Sequence, residues 1–116
     1  MDSDGLQVLK GTLDLLVLKT LARNDELHGF EILDWIERES GSALLIEEGA
    51  LYPALHRMEK RGWLESVWGV SGKGRRAKYY RLTAKGRRAH DEETRSWSRY
   101  VDAVAALDAN PGHAGG

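Results

Sequence analysis

The sequence predicts a mainly helical α+β domain in which three short helices lead into a basic β-hairpin and a long last helix follows. Three observations carry this expectation. Apolar residues recur at helical spacing in four separate stretches. Between the third and fourth, Trp63 to Trp68 and Lys78 to Leu82 are rich in strand formers, and residues 69–76 between them hold three glycines. The breaks Asn24-Asp25, Ser40-Gly41-Ser42 and Arg61-Gly62 fall where one pattern stops and the next begins.

The first helix is expected over 6–22, with Leu6, Leu9, Leu13, Leu16, Val17 and Leu21 on one stripe. Leu15 and Leu18 widen that stripe almost all round, so the helix should be buried on more than one side. The second is expected over 28–39, with Phe30, Leu33 and Ile36 inward, and Leu44-Leu45-Ile46 follows as an apolar link. The third is expected over 48–61, with Gly49 near its start and Gly62 as its left-handed stop. Leu51, Leu55 and Met58 fall at i, i+4 and i+7 and form its inward stripe, which turns Tyr52, His56, Arg57 and Lys60 outward. Pro53 is expected in the first turn, where its missing N–H has no intrahelical partner. After the hairpin, Thr83 is a suitable N-cap for a last helix reaching residue 109. Residues 110–116, ending Pro-Gly-His-Ala-Gly-Gly, read as a disordered tail.

With no internal repeat, the 116 residues make one domain in three parts: 1–83, the helix 84–109, and the tail 110–116. Hydrophobic residues at 41% and charged residues at 30% are ordinary for a soluble globular protein. Cysteine is absent, which excludes disulfides and thiolate metal sites and fits a reducing cytoplasm. Met1 to Gly5 lacks the basic-then-apolar order of a signal peptide. The apolar stretch 13–21 is too short for a bilayer and is interrupted by Asp14 and Lys19. A cytoplasmic protein with no membrane partner is expected.

The formal net charge is only −1, yet a polyanion senses distribution rather than the sum. From Lys73 to Arg88 there are eight cations and no acid, and Arg57, Lys60 and Arg61 lie just upstream. A solvated face normally mixes both signs; a single-sign block points to an anionic partner. Three helices followed by a basic hairpin match the winged helix-turn-helix, in which the third helix enters the major groove of double-stranded DNA and the hairpin is the wing. The candidate base-reading residues are Ala50, Tyr52, Pro53, His56, Arg57 and Lys60. Ala50 and Pro53 suit a thymine methyl, while Tyr52 and His56 have hydrogen-bonding capacity for base edges. Amides at the helix start would favour a phosphate. On the wing the candidates are Lys73, Gly74, Arg75, Arg76 and Lys78, for phosphates or a narrow minor groove. Each has a plainer alternative, Tyr52 as a half-buried packing residue and His56 as an ordinary surface residue.

Three segments also resemble the PadR family of transcriptional regulators. They are Gly49-Ala50-Leu51-Tyr52-Pro53-Ala54-Leu55-His56-Arg57-Met58-Glu59, Gly62-Trp63-Leu64, and the run from Arg75-Arg76-Ala77-Lys78-Tyr79-Tyr80 through Arg81-Leu82-Thr83-Ala84-Lys85-Gly86. The opening Leu9-Lys10-Gly11-Thr12-Leu13-Asp14-Leu15-Leu16 and His28-Gly29-Phe30 are similar too, and point to a PadR-related subgroup frequent in acidobacteria. The resemblance covers about residues 6–108. It implies a winged-helix homodimer, usually a repressor, on a pseudo-palindromic operator. Phe30 departs from the tyrosine common there, so a hydroxyl contact at that position is absent.

The last helix carries Trp97, Tyr100, Val101, Val104 and Leu107 on one side, more apolar surface than the first helix covers. Burial across a twofold axis, with Leu9 and Leu13 joining the interface, is the expected solution. Ser96-Trp97-Ser98-Arg99 is similar to a stretch in a multidrug-sensing lactococcal member of the family, where the matching tryptophan lines a flat-ligand pocket. That match implies a pocket for a small aromatic ligand lined by Val8, Gly11, Asp14, Leu15 and Trp97, with Asp14 able to attract a cation. Val101 departs from it, standing where that relative has an acidic residue. Trp97 filling the interface is the alternative. His90, Asp91 and Glu93 lack a second histidine and read as a solvated face rather than a metal site. With no nucleophile–base pair, paired catalytic carboxylates or phosphate-cradling loop, no enzymatic activity and no cofactor are expected. The rival reading is a winged-helix module that docks an acidic protein through its basic hairpin.

Overall fold

The computed structural model describes residues 6–7 (backbone only), 11–109 and 112. In chain order the elements are β1 (Leu6–Gln7), α1 (Leu13–Arg23), β2 (Leu27–His28), α2 (Gly29–Glu39), β3 (Leu44–Leu45), α3 (Glu48–Lys60), β4 (Leu64–Val70), β5 (Arg76–Leu82) and α4 (Ala84–Ala109). Helices α1, α2 and α3 enclose a core of Val17, Leu18, Leu21, Ile32, Ile36, Leu51, Leu55 and Met58, closed from the hairpin side by Leu64, Tyr80 and Leu82. Each large aliphatic side chain taken fully from water there contributes about 1.5–3 kcal/mol. Burial also pushes the Tyr80 phenol above its usual pKa, and Lys78 opposes the shift. Among the described residues no helix is long and apolar enough to cross a membrane, and no group of three metal-ligating side chains occurs.

The third helix follows its pattern closely. Leu51, Leu55 and Met58 are fully buried, and Tyr52, His56, Arg57 and Lys60 are exposed. Its chain reverses at Gly62, whose φ of +81° only glycine adopts without strain. Thr83 starts α4 as expected, its hydroxyl accepting from the Gly86 amide at 3.0 Å. Gly86 lies so close to the Trp63 carbonyl that a side chain would collide with it, which seats α4 on the base of the hairpin.

Several expectations are corrected. The first helix begins at Leu13, not at residue 6, because Gly11 turns the backbone at φ +88°; Leu6–Gln7 instead pairs in parallel with Leu44–Leu45. Phe30 points outward at 60% exposure, and Ile32 takes the inward place beside Ile36. The reason is helical phase: Ile32 and Ile36 lie one turn apart on the buried face, and Phe30, two residues before Ile32, falls about 200° round the helix from it. His28 caps the start of α2 through a reciprocal box with Glu31. Pro53 is the sixth residue of α3, in the second turn, so the Gly49 carbonyl lacks the bond that residue 53 would donate. The hairpin strands extend to Val70 and back to Arg76, leaving a loop of residues 71–75. Leu27–His28 adds a third strand beside Tyr79–Tyr80, giving the sheet order β2-β5-β4. Val8, Leu9 and the expected tail apart from Gly112 lie outside the described residues.

Candidate nucleic-acid interface

The outer face of α3 carries every base-reading candidate. Ala50, Tyr52, Pro53, His56, Arg57 and Lys60 are all exposed. Tyr52 is 45% exposed, and its ring lies against Gly29, where any Cβ would collide with it. It therefore packs α3 onto the start of α2 and still presents surface to solvent. At the start of this helix stand Glu47 and Glu48, both exposed. Two carboxylates oppose the phosphate that the helix amides alone would favour.

Arg57 is not a free cation. Its Nη2 donates to Asp14 Oδ1 at 2.8 Å, and Arg61 Nη1 reaches Asp14 Oδ2 at 3.5 Å. Asp14 thus fastens α1 to the last turn of α3. Glu59 plays a similar part between α3 and the hairpin, accepting from the Ser66 hydroxyl at 2.7 Å and pairing with Lys78 at 3.4 Å. The Lys78 charge is largely offset inside the protomer, unlike the other wing candidates. Lys73, Gly74, Arg75 and Arg76 are exposed, and no described carboxylate lies within ion-pair distance of the three cations. The loop presenting them is tight: Gly74 N donates to the Ser71 carbonyl at 2.8 Å and Ser71 N to the Arg75 carbonyl at 2.7 Å. Gly74 then turns at φ +76°, the left-handed position that follows a turn of this kind.

The sequence marks Trp68 only by its strand propensity. In the fold it is 56% exposed, and the Arg76 guanidinium lies 4.4 Å from the centre of its ring. A signal existed: alternation along β4 puts Trp68 on the same face as Leu64 and Ser66, opposite Lys78. With His28, Phe30, Tyr52, His56 and Arg76, it flanks one groove between α3 and the wing.

The second expected site is divided. Gly11, Leu15 and Trp97 meet in a hollow with Thr12, Glu93, Ser96 and Tyr100, where Trp97 and Tyr100 stack with ring centres 6.0 Å apart. Asp14 does not line it, its carboxylate being held by Arg57 and Arg61; the carboxylate in the lining is that of Glu93. Leu13 packs against the protomer's own core, whereas Tyr100, Val101, Val104 and Leu107 stand exposed on α4.

A three-helix core with a two-stranded wing beside an outward-facing third helix defines a winged helix-turn-helix protein. The profile of the transcriptional regulator PadR-like family matches residues 17–92, and the chain belongs to that family. Its role is accordingly DNA-binding regulation of transcription. A transcriptional regulator of Mycobacterium tuberculosis is 38% identical over 76 residues, 65% of this chain and 66% of its own length. Among solved structures, a PadR family regulator from Eggerthella lenta is similar at 31% identity and a TM-score of 0.75, over 88% of this chain and 86% of that one. A PadR-like regulator from Bacillus cereus is similar at 29% identity and a TM-score of 0.74, over 89% and 97%.

Proposed function

We propose that the protein is a repressor that holds a pseudo-palindromic operator as a homodimer, with α3 reading bases and the wing tip holding phosphates or a minor groove. One observation carries this reading: Tyr52 and His56 on the outer face of α3 and the exposed wing cation Arg76 line the same groove, so one duplex can meet both elements. Tyr52, Pro53 and His56 are the base readers, and Lys73, Arg75 and Arg76 the backbone contacts. Arg57 and Lys78 serve the protomer's own ion pairs first.

The exposed side of α4 supports the dimer. Tyr100, Val101, Val104 and Leu107 form an apolar surface that the protomer leaves in water, and a twofold copy would bury it. Pairing there would set two α3 helices about one DNA turn, roughly 34 Å, apart. A small planar aromatic effector is proposed for the hollow at Trp97 and Tyr100, where stacked rings offer a flat wall. Its binding would bias the angle between the two wing-bearing halves.

Recovering the genomic fragments that the protein retains, and reading their sequence, tests the proposal. An inverted repeat with half-sites one turn apart, upstream of a gene, is expected. Fragments without a shared sequence would refute operator recognition.

A further inference from the structure

The groove between α3 and the wing holds two aromatic rings, Phe30 and Trp68, that the base-reading and wing-tip contacts do not account for. Its lining includes His28, Phe30, Tyr52, His56, Trp68 and Arg76, and no lining residue is acidic. Phe30 is 60% exposed and Trp68 56%, and neither belongs to the core cluster. Folding alone gives no reason for two large rings in water at the edges of a cationic slot.

We propose that this groove takes one sugar–phosphate segment of a duplex strand, with the rings of Phe30 and Trp68 against deoxyribose and Arg76 against a phosphate. The inference rests on the DNA-binding reading and adds a backbone subsite to it. Its geometry follows from the fold. With α3 in a major groove and the wing tip at the neighbouring minor groove, the strand dividing those two grooves runs between α3 and the wing. Its chemistry follows from the lining. The Arg76 guanidinium carbon lies 4.4 Å from the centre of the Trp68 ring, a cation–π contact that takes up none of its N–H donors, which suit a phosphate. Arg76 has no described carboxylate partner, whereas Lys78 is held by Glu59. The apolar rings match the sugar, the only apolar part of a backbone segment. An acidic peptide would equally satisfy Arg76, but it would not need the groove to lie between a major-groove helix and a minor-groove wing.

The test uses a 30-base-pair duplex of mixed sequence, because backbone docking does not require an operator. Affinity is measured against NaCl concentration for the wild type, Phe30→Ala, Trp68→Ala, Trp68→Phe and Arg75→Ala. Thermal melting of each variant checks that it folds. Phe30→Ala and Trp68→Ala should each weaken binding about fivefold, the scale of one aromatic contact. Their salt slope should stay unchanged, since apolar contacts release no counterions. Trp68→Phe should recover most of the loss, and Arg75→Ala should flatten the slope by about 0.9. If Trp68→Ala melts early, Trp68→Thr, a strand former, takes its place. Unchanged affinity at either ring, with Arg75→Ala still flattening the slope, overturns the groove and leaves the DNA-binding reading intact. Salt-independent binding by the wild type overturns both.

Discussion

Arg57 of α3 and Asp14 of α1, 43 residues apart in sequence, meet at 2.8 Å, and Arg61, the residue that caps the end of α3, completes the cluster. A single carboxylate therefore restrains two cations at the end of α3, the helix proposed to read DNA. Asp14 is adjacent to Leu15, which lines the hollow at Trp97, so the same ion pair joins that region to α3.

Replacing Asp14 by Asn releases Arg57 and Arg61 for phosphates. Duplex binding at low salt should tighten, and its salt slope should steepen by up to about 0.9 for each phosphate that a freed arginine reaches. The arginines are half exposed, and such surface pairs are worth about 0–1 kcal/mol, so the melting temperature should barely move. Titrations over a salt series check this; an unaltered slope would mean that the two arginines never reach the backbone.

Gly29 and Tyr52 make a second pairing with a measurable consequence. Gly29→Ala forces its methyl into the Tyr52 ring and should destabilise the fold by about 1–3 kcal/mol through overpacking. In the double variant with Tyr52→Ala most of that penalty should vanish, because the obstacle is gone. Denaturant unfolding of the four proteins of the cycle provides the comparison, and additive losses would contradict the packing described.

Val104→Asp together with Leu107→Asp should yield monomers by light scattering. The proposed interface would then carry two unpaired charges in each protomer. The wild-type melting temperature should rise with protein concentration, and that of the variant should not. A variant that remains dimeric would place the interface elsewhere.

What the sequence discloses and what it conceals divides along physical lines. The buried stripe of α3, the Gly62 stop and the Thr83 cap rest on contacts within a few residues, and all three are legible. The start of α1 is not, because Leu6 and Leu9 continue the helical spacing across Gly11 while the backbone turns there. Hydrophobicity alone places Phe30 inward, but the buried face runs through Ile32 and Ile36, one turn apart, and Phe30 lies off it. The outward candidates of α3 are legible from their spacing, but the pairing of Arg57 with Asp14 and of Lys78 with Glu59 depends on tertiary approach. No local pattern encodes such contacts. Trp68 is visible as a strand residue, yet its stacking with Arg76 needs the hairpin register to be known.

The central claim is that the exposed wing cations hold DNA. It is tested most directly by the salt dependence of binding to a duplex from the protein's own promoter, measured for the wild type and for Arg75→Ala with Arg76→Ala. Log Kd should change linearly and steeply with log salt for the wild type, and the double variant should lose about 0.9 of slope for each phosphate contact removed. Binding indifferent to salt and to both substitutions would contradict the account.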